Sequence, residues 1–308
     1  MESKYSSGIC IILSTYNGER YLREQIDSIL CQDTPLPVSF FVRDDGSSDE
    51  TKNILRSYME KGVSIRLMEG ENKGPAASFM EAVCCCPEAA YYAFCDQDDV
   101  WLPEKLRIAT EEIGQTDIPV LWASSFSLCN SVGKVTRKNG LQDPCLQAVR
   151  VLYYNDIPGC VMVFNDALLK KLRALPVIHV RMHDITALSA ALLTGKVIFN
   201  SDPLVLYRQH TDNAIGYGHK KFQPLKWLKD KWRLLFEGEA YSMADLAKAF
   251  LDIFDTQLNV EDKELLCLIE ASRSSFSKRL RLLRQPCTKA PFGRTSLSIR
   301  AKIFFGII

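Results

Sequence analysis

The chain has 308 residues, enough for one large domain or for a domain with a substantial extension. Hydrophobic residues make up 47% and charged residues 24%, which excludes global disorder and the small disulfide-stapled scaffolds. With 38 Lys/Arg against 37 Asp/Glu the net charge is +1, so no chain-wide field exists to draw a nucleic acid.

Residues 1–7 contain no apolar stretch of the kind a secretory leader carries, and cytoplasmic residence is the expectation. No run approaches 18 apolar residues, which speaks against a spanning helix. The 11 cysteines are odd in number and irregular in spacing, with no C-x-x-C pair, so they read as small apolar groups rather than as a disulfide or zinc framework.

The first hundred residues repeat one pattern, an apolar β-branched run, a polar cluster and a helix-period segment. Ile9-Cys10-Ile11-Ile12-Leu13 leads to Ser14-Thr15-Tyr16-Asn17-Gly18, then to Leu22, Ile26 and Ile29 at helical spacing. Val38-Ser39-Phe40-Phe41-Val42 leads to Asp44-Asp45-Gly46, and Ser47-x-x-Glu50 predicts a capping box for the helix that follows. Val63-Ser64-Ile65-Arg66-Leu67-Met68 leads to Asn72-Lys73-Gly74, after which Pro75 opens a helix. Tyr91-Tyr92-Ala93-Phe94 leads to Asp96-Gln97-Asp98-Asp99 and a helix near Pro103. Strands alternating with helices imply an α/β fold with a mostly parallel sheet covered on both faces. Such a sheet binds ligands at the carboxyl ends of its strands, where all four polar clusters fall.

Beyond Val120-Leu121-Trp122-Ala123 the pattern loosens, and residues 130–155 read as a long excursion of the kind that forms binding loops or lids. Residues 158–164 and Val197-Ile198-Phe199 are strand candidates, His183-Asp184 precedes an apolar helix, and Tyr207-Arg208-Gln209-His210 closes the body. The organisation expected is a domain over residues 1–218 and a basic, mostly helical extension over 219–308. The extension carries 17 Lys/Arg and 10 Asp/Glu, and residues 271–308 carry nine Lys/Arg and no acid. Trp227, Trp232, Leu235 and Phe236 stand among lysines there, and Ile303 to Ile308 are nearly all apolar. Peripheral contact with the inner face of the cell membrane is one expectation, a solvated helical face the other.

Asp96-x-Asp98 is the sharpest chemical feature. Carboxylate oxygens in small number suit Mg²⁺ or Mn²⁺, which complete their shells with water and substrate phosphates; the competing use of Asp96 and Asp99 is to cap the next helix. Asp45, at a neighbouring strand end, can accept the imide N–H of a pyrimidine base, or serve only in a turn. Thr15 and Tyr16 offer a hydroxyl and an aromatic face to the same base, and Asn72 an amide. The chain has no G-x-G-x-x-G, no P-loop and no G-x-S-x-G elbow, so dinucleotide binding, P-loop chemistry and the commonest α/β hydrolase signal lack support.

In combination, Ile11-Ile12-Leu13-Ser14-Thr15-Tyr16-Asn17-Gly18, Arg43-Asp44-Asp45-Gly46-Ser47-Ser48-Asp49-Glu50-Thr51, Glu71-Asn72-Lys73-Gly74 and Phe94 through Lys105 resemble the family 2 glycosyltransferases of the GT-A fold. The likeness is closest to bacterial rhamnosyltransferase-like members. It extends through Gly159-Cys160, Met182-His183-Asp184 and Tyr207-Arg208-Gln209-His210, about residues 8–215. Ile185-Thr186-Ala187 depart from it, since many members carry bulky aromatics there.

The resemblance implies inverting, metal-dependent transfer of a sugar from a nucleotide-diphosphate donor, dTDP-rhamnose foremost, to a hydroxyl of a lipid-linked or polysaccharide acceptor in surface-polysaccharide assembly. By motif, Thr15, Tyr16 and Asp45 would hold the base, and Asn72 is a further donor-binding candidate. Asp96 would sit at the ribose and diphosphate, Asp98 and His210 would ligate the ion, and Asp184 would be the general base. Arg208 is a candidate phosphate contact. The rival expectations are a nucleotidyltransferase and a sugar-nucleotide-binding protein without turnover.

Overall fold

In the computed structural model, residues 8–176, 182–210, 243–288 and 297–306 are described. The alternation read from the sequence becomes β1 (Ile9–Thr15), α1 (Leu22–Leu30), β2 (Val38–Asp44), α2 (Thr51–Glu60), β3 (Ile65–Glu69), α3 (Pro75–Cys85) and β4 (Tyr91–Cys95). The short β5 (Val100–Trp101) and α4 (Lys105–Ile113) follow. Strands β3, β2, β1 and β4 lie side by side in that order, all parallel, with Ile11 opposite both Phe40 and Ala93. Helices α1 and α2 bury one stripe each, Leu22-Ile26-Ile29 and Ile54-Leu55-Tyr58, at the spacing their sequences predict.

The second half of the sheet is less regular than four repeated units suggest. Strand β8 (Met162–Asn165) enters antiparallel between β4 and β6 (Val120–Cys129), so the described sheet is mixed, in the order β3-β2-β1-β4-β8-β6-β9-β5. Every residue of β4, β6 and β8 is buried, which requires cover on both faces. Strand β9 (Lys196–Arg208) is far longer than the predicted Val197-Ile198-Phe199. It runs parallel to β6 from Val120↔Lys196 to Cys129↔Arg208, with register shifts between Ser124 and Ser127, and then pairs β5. The carboxyl end of β9 is thereby carried to the Asp98 loop.

The excursion over 130–155 is no open lid. After β7 (Val135–Arg137) it buries Leu141, Val149, Val151, Leu152, Tyr153 and Tyr154 around the single-turn α5 (Ala148–Val151). Helix α6 (Asp166–Ala174) is capped by Asn165, whose side chain accepts from Leu168 N, and α7 (His183–Thr194) is buried nearly all round. The C-terminal helices are α8 (Met243–Phe254), α9 (Val260–Ser272), α10 (Phe276–Arg284) and α11 (Leu297–Phe305). Phe250, Phe254, Leu266 and Ile269 belong to the same hydrophobic core as the sheet. The Trp-rich segment with Trp227 and Trp232, and Ile307-Ile308, lie outside the described residues. Among the described residues no helix is long and apolar enough to cross a membrane.

Candidate active site

The site is built from turns at the carboxyl ends of β1, β2 and β4. At the first two, Asp44 accepts from Thr15 Oγ1 at 2.8 Å, from Ser47 N at 2.9 Å and from Ser47 Oγ at 2.6 Å. The Ser47 hydroxyl thus serves the turn and not the predicted capping box; Asp49 instead accepts from Thr51 N at 3.0 Å at the start of α2. Asp45 is held by Arg43, an ion pair closed inside the fold, and it accepts from the backbone amides of Lys73 and Gly74, each at 2.9 Å. Arg43 also reaches Glu81 at 3.0 Å and the carbonyls of Asp44 and Glu71 at 2.9 Å. The third polar cluster, residues 72–74, is therefore stitched onto the second through one carboxylate.

At β4 the loop is fixed from several sides. Gln97 Oε1 accepts from Tyr16 N at 2.8 Å while Gln97 Nε2 donates to Tyr16 O at 3.0 Å, which ties this loop to the β1 turn. The Tyr16 ring is left 48% exposed, available for stacking. Neither Asp96 nor Asp99 caps α4, whose first turn has no side-chain cap. Asp98 Oδ2 lies 2.7 Å from His210 Nε2. Asp99 Oδ1 accepts from Arg208 N at 2.9 Å, and burial together with the Asp98 charge pushes its carboxyl up to about 7.

Two buried cations brace this loop. Arg208 donates to Asp98 O at 2.8 Å and Ser131 O at 3.2 Å, pairs Glu24 at 2.6 Å, and lies over the Tyr21 ring. Its guanidinium is committed to protein groups and sealed from solvent, so it does not take the phosphate contact expected of it. Lys105 donates to Cys160 O at 2.7 Å with its ammonium 3.1 Å from the Trp101 ring centroid, and burial brings it down to about 7.

Across the cavity, His183 and Asp184 occupy the first turn of α7. Asp184 Oδ1 accepts from Ile185 N at 2.7 Å. The His183 ring stacks on Phe79 at 3.8 Å, meets Phe94 edge-on at 4.6 Å and abuts Gly159, where a Cβ would stand 2.4 Å from Nε2. Burial holds this imidazole neutral, down to about 3. Ile185, Thr186 and Ala187 are buried in the helix packing and do not line the cavity, so the departure at these positions concerns the core.

Ser14, Tyr16, Asp45, Asn72, Asp96, Gln97, Asp98, Pro158, Gly159, His183 and Asp184 share one cavity of about 410 Å³. Six residues anticipated from sequence, Tyr16, Asp45, Asn72, Asp96, Asp98 and Asp184, are on its wall. Thr15 is not: its hydroxyl is committed to Asp44 beneath the turn. His210 is not among the residues lining it and stands next to the lining, 2.7 Å from Asp98. Sequence reasoning missed Arg43, Gln97, Phe79 and Lys105, and also Asn155 and Asp156, which line the same cavity. Gln97 lies inside the D-Q-D-D motif and could have been found there, whereas Phe79 is one apolar position among many. A larger cavity of about 1110 Å³ sits near residues 114–119 and gathers none of these groups.

The donor set fits a hard divalent ion. Asp98 and His210 converge at hydrogen-bond distance, and Asp96 nearby has its carboxyl pushed well up by burial first and then by Asp99, Asp98 and Asp184, a surplus of negative charge that a cation relieves. A second grouping, Asp96, Asp99 and Cys160, fits less well. Burial and the adjacent carboxylates push the Cys160 thiol far up and keep it protonated, and sulfur is a poor ligand for such an ion.

Comparisons with known proteins bear on the family and the fold. Residues 10–170 match the family model described as glycosyl transferase family 2. A dTDP-rhamnosyl transferase, RfbG of Shigella flexneri, is 26% identical over 237 residues, covering 71% of this chain and 80% of that one. Among solved structures, S. aureus TarS 1-349 in complex with UDP-GlcNAc superposes with a TM-score of 0.56 at 17% identity, covering 97% of this chain and 89% of the other. The mannosyltransferase PcManGT from Pyrobaculum calidifontis, in complex with GDP-Man and Mn²⁺, gives 0.51 at 18% identity, covering 98% and 88%. These two likenesses establish the fold, the GT-A type.

Proposed function

The chain belongs to glycosyl transferase family 2, and on that footing we propose that it moves rhamnose from dTDP-rhamnose, with inversion, to a hydroxyl of a lipid-linked or polysaccharide acceptor. The observation that carries the reading is the convergence of Asp45, Asn72, Asp96, Asp98 and Asp184, from four separate segments, on one cavity of about 410 Å³. The donor assignment leans on the relative named a dTDP-rhamnosyl transferase. The transferring unit is assigned to residues 1–218, with 219–308 as its extension; that boundary falls outside the described residues.

In this reading the Tyr16 ring stacks on the base and Asp45 accepts its imide N–H. Arg43 and the amides of Lys73 and Gly74 hold the Asp45 carboxylate in place. Asn72 and Asp96 meet the ribose and diphosphate. Asp98 and His210 would hold Mg²⁺ or Mn²⁺, which when bound offsets the charge that grows on the departing diphosphate. Asp184 takes the proton of the acceptor hydroxyl as the new bond forms. A base across the sugar from the leaving group yields inversion, and the surrounding carboxylates favour an oxocarbenium-like centre.

The test is a panel of dTDP-rhamnose, UDP-GlcNAc and GDP-mannose, each with and without Mn²⁺, read by thermal stabilisation and by product analysis. The expected outcome is stabilisation that is largest for dTDP-rhamnose and requires the ion, with dTDP as product. Release of pyrophosphate from a nucleoside triphosphate would identify a nucleotidyltransferase instead. Binding with no turnover on any acceptor would leave a sugar-nucleotide-binding protein.

A further inference from the structure

The helical end of the chain carries a surface unlike the rest of the molecule. On α10, Phe276, Leu280 and Arg284 follow one another at i, i+4 and i+8 and share a face, with Arg281 beside them. All four are exposed, Phe276 by 52%, while Leu282 on the other side of the helix is completely buried. Helix α11 lies against α10 with Ile303 buried inward and Phe304 and Phe305 turned outward, 43% and 61% exposed. The three phenylalanines form a chain of edge-on contacts, Phe276 to Phe304 at 5.6 Å and Phe304 to Phe305 at 5.4 Å. Arg279 fixes the two helices together: its guanidinium donates to Ser272 O and Arg273 O at 2.9 Å and packs against Gly306, just past α11. In sequence, residues 271–308 hold nine Lys/Arg and no Asp/Glu; in the described part of this stretch Lys278, Arg281 and Arg284 stand on α10, while Arg273 is paired with Asp245 at 2.8 Å.

Exposed aromatic rings are costly in water, they have no role in the cavity, and beside them Lys278, Arg281 and Arg284 have no acidic partner among the described residues. We propose that the α10–α11 face docks on the surface of an anionic phospholipid bilayer, Phe276, Leu280, Phe304 and Phe305 entering the headgroup boundary while Lys278, Arg281 and Arg284 meet lipid phosphates. Charge disfavours face-to-face pairing of two copies through this surface, because it would set Lys278, Arg281 and Arg284 against their own counterparts. The apolar ridge decides against a soluble polyanion, which has no use for four exposed hydrophobic side chains. No described helix spans a bilayer, so the contact is peripheral and reversible. The inference holds whichever sugar the cavity takes.

The experiment is flotation of the full-length protein with vesicles of phosphatidylcholine alone or containing a third phosphatidylglycerol. Binding is expected only to the anionic vesicles and is expected to weaken as salt is raised. Phe304→Ser combined with Phe305→Ser should reduce partitioning by at least tenfold, and Arg281→Gln with Arg284→Gln by about fivefold per charge. In both variants the nucleotide-sugar-dependent thermal shift should stay as in the wild type, which separates loss of docking from loss of folding. Equal binding to neutral vesicles, undiminished binding of both variants, or a concentration-dependent dimer abolished by the phenylalanine substitutions would each overturn the proposal. So would binding of soluble heparin that matches vesicle binding and ignores the loss of Phe304 and Phe305.

Discussion

Asp184 and His183 are neighbours on one helical turn, yet their surroundings differ, one lining the cavity and the other packed between aromatic rings. Asp184 lines the cavity and accepts from Ile185 N at 2.7 Å. Asp184→Asn keeps the shape and removes the basicity. Transfer is expected to fall by about 10²–10⁴ in kcat with donor-induced stabilisation unchanged, as checked by initial rates beside thermal shifts. His183 is neutral in the fold and titrates normally once unfolded. Between the ordinary histidine value of about 6.5 and its folded value of about 3, the unfolded chain therefore binds the extra proton. Stability is complete above that window and falls on acidification by about 1.4 kcal/mol per pH unit for this group. Denaturant titrations from pH 7 to pH 4 on wild type and His183→Asn test this: the variant should lose that part of the slope, and parallel curves would show that His183 does not titrate as described.

At the level of elements, the repeating strand–turn–helix units were legible because apolar β-branched runs, Pro75 and the stripes of α1 and α2 are local signals. The cavity wall was legible for a related reason, since Asp45, Asn72, Asp96 and Asp98 each follow a strand and parallel strands bring such ends together. What was hidden is long-range. Nothing in Met162–Asn165 distinguishes an antiparallel insertion from another parallel strand, because a strand buried on both faces reads the same in either direction. Nothing local to Arg208 announces that Glu24 and the Asp98 carbonyl will close around it, 184 and 110 residues away in sequence. The Ser47-x-x-Glu50 pattern misled because Asp44 competes for the same hydroxyl. Arg208 yields a test of the β9 clasp. Arg208→Met leaves Asp98 O and Ser131 O without this donor and removes the partner of the half-exposed Glu24, and should cost about 1–3 kcal/mol in denaturant unfolding. It should also weaken Mn²⁺-dependent stabilisation although Asp98 and His210 are untouched.

For the molecule as a whole, the sequence suggests a body and an appendage, and the packing qualifies that division. Phe250 and Phe254 of α8 and Leu266 and Ile269 of α9 are sealed into the core that also holds the sheet, and Lys171 of α6 reaches Gln257 at 2.8 Å. The two parts are expected to unfold in a single transition. A chain ended after residue 242 strips cover from the sheet's outer helices, each buried phenylalanine alone contributing about 1.5–3 kcal/mol. The truncated protein should melt well below the intact one or aggregate on expression, and calorimetry of both decides. A truncated body as stable as the full chain would mean that the helices merely rest on it.

The paired contact between Gln97 and Tyr16 has a consequence of its own. One carboxamide satisfies both polar groups of the Tyr16 residue's main chain, much as a neighbouring strand would, so two turns from opposite sides of the sheet junction move as a unit. An aromatic platform and a pair of acids are in this way kept at constant separation before any ligand arrives. A glutamate at 97, identical in outline, could only accept, and would add a further like charge between Asp96 and Asp98; the difference between an amide and an acid there is the difference between a ready-made cradle and a hinge.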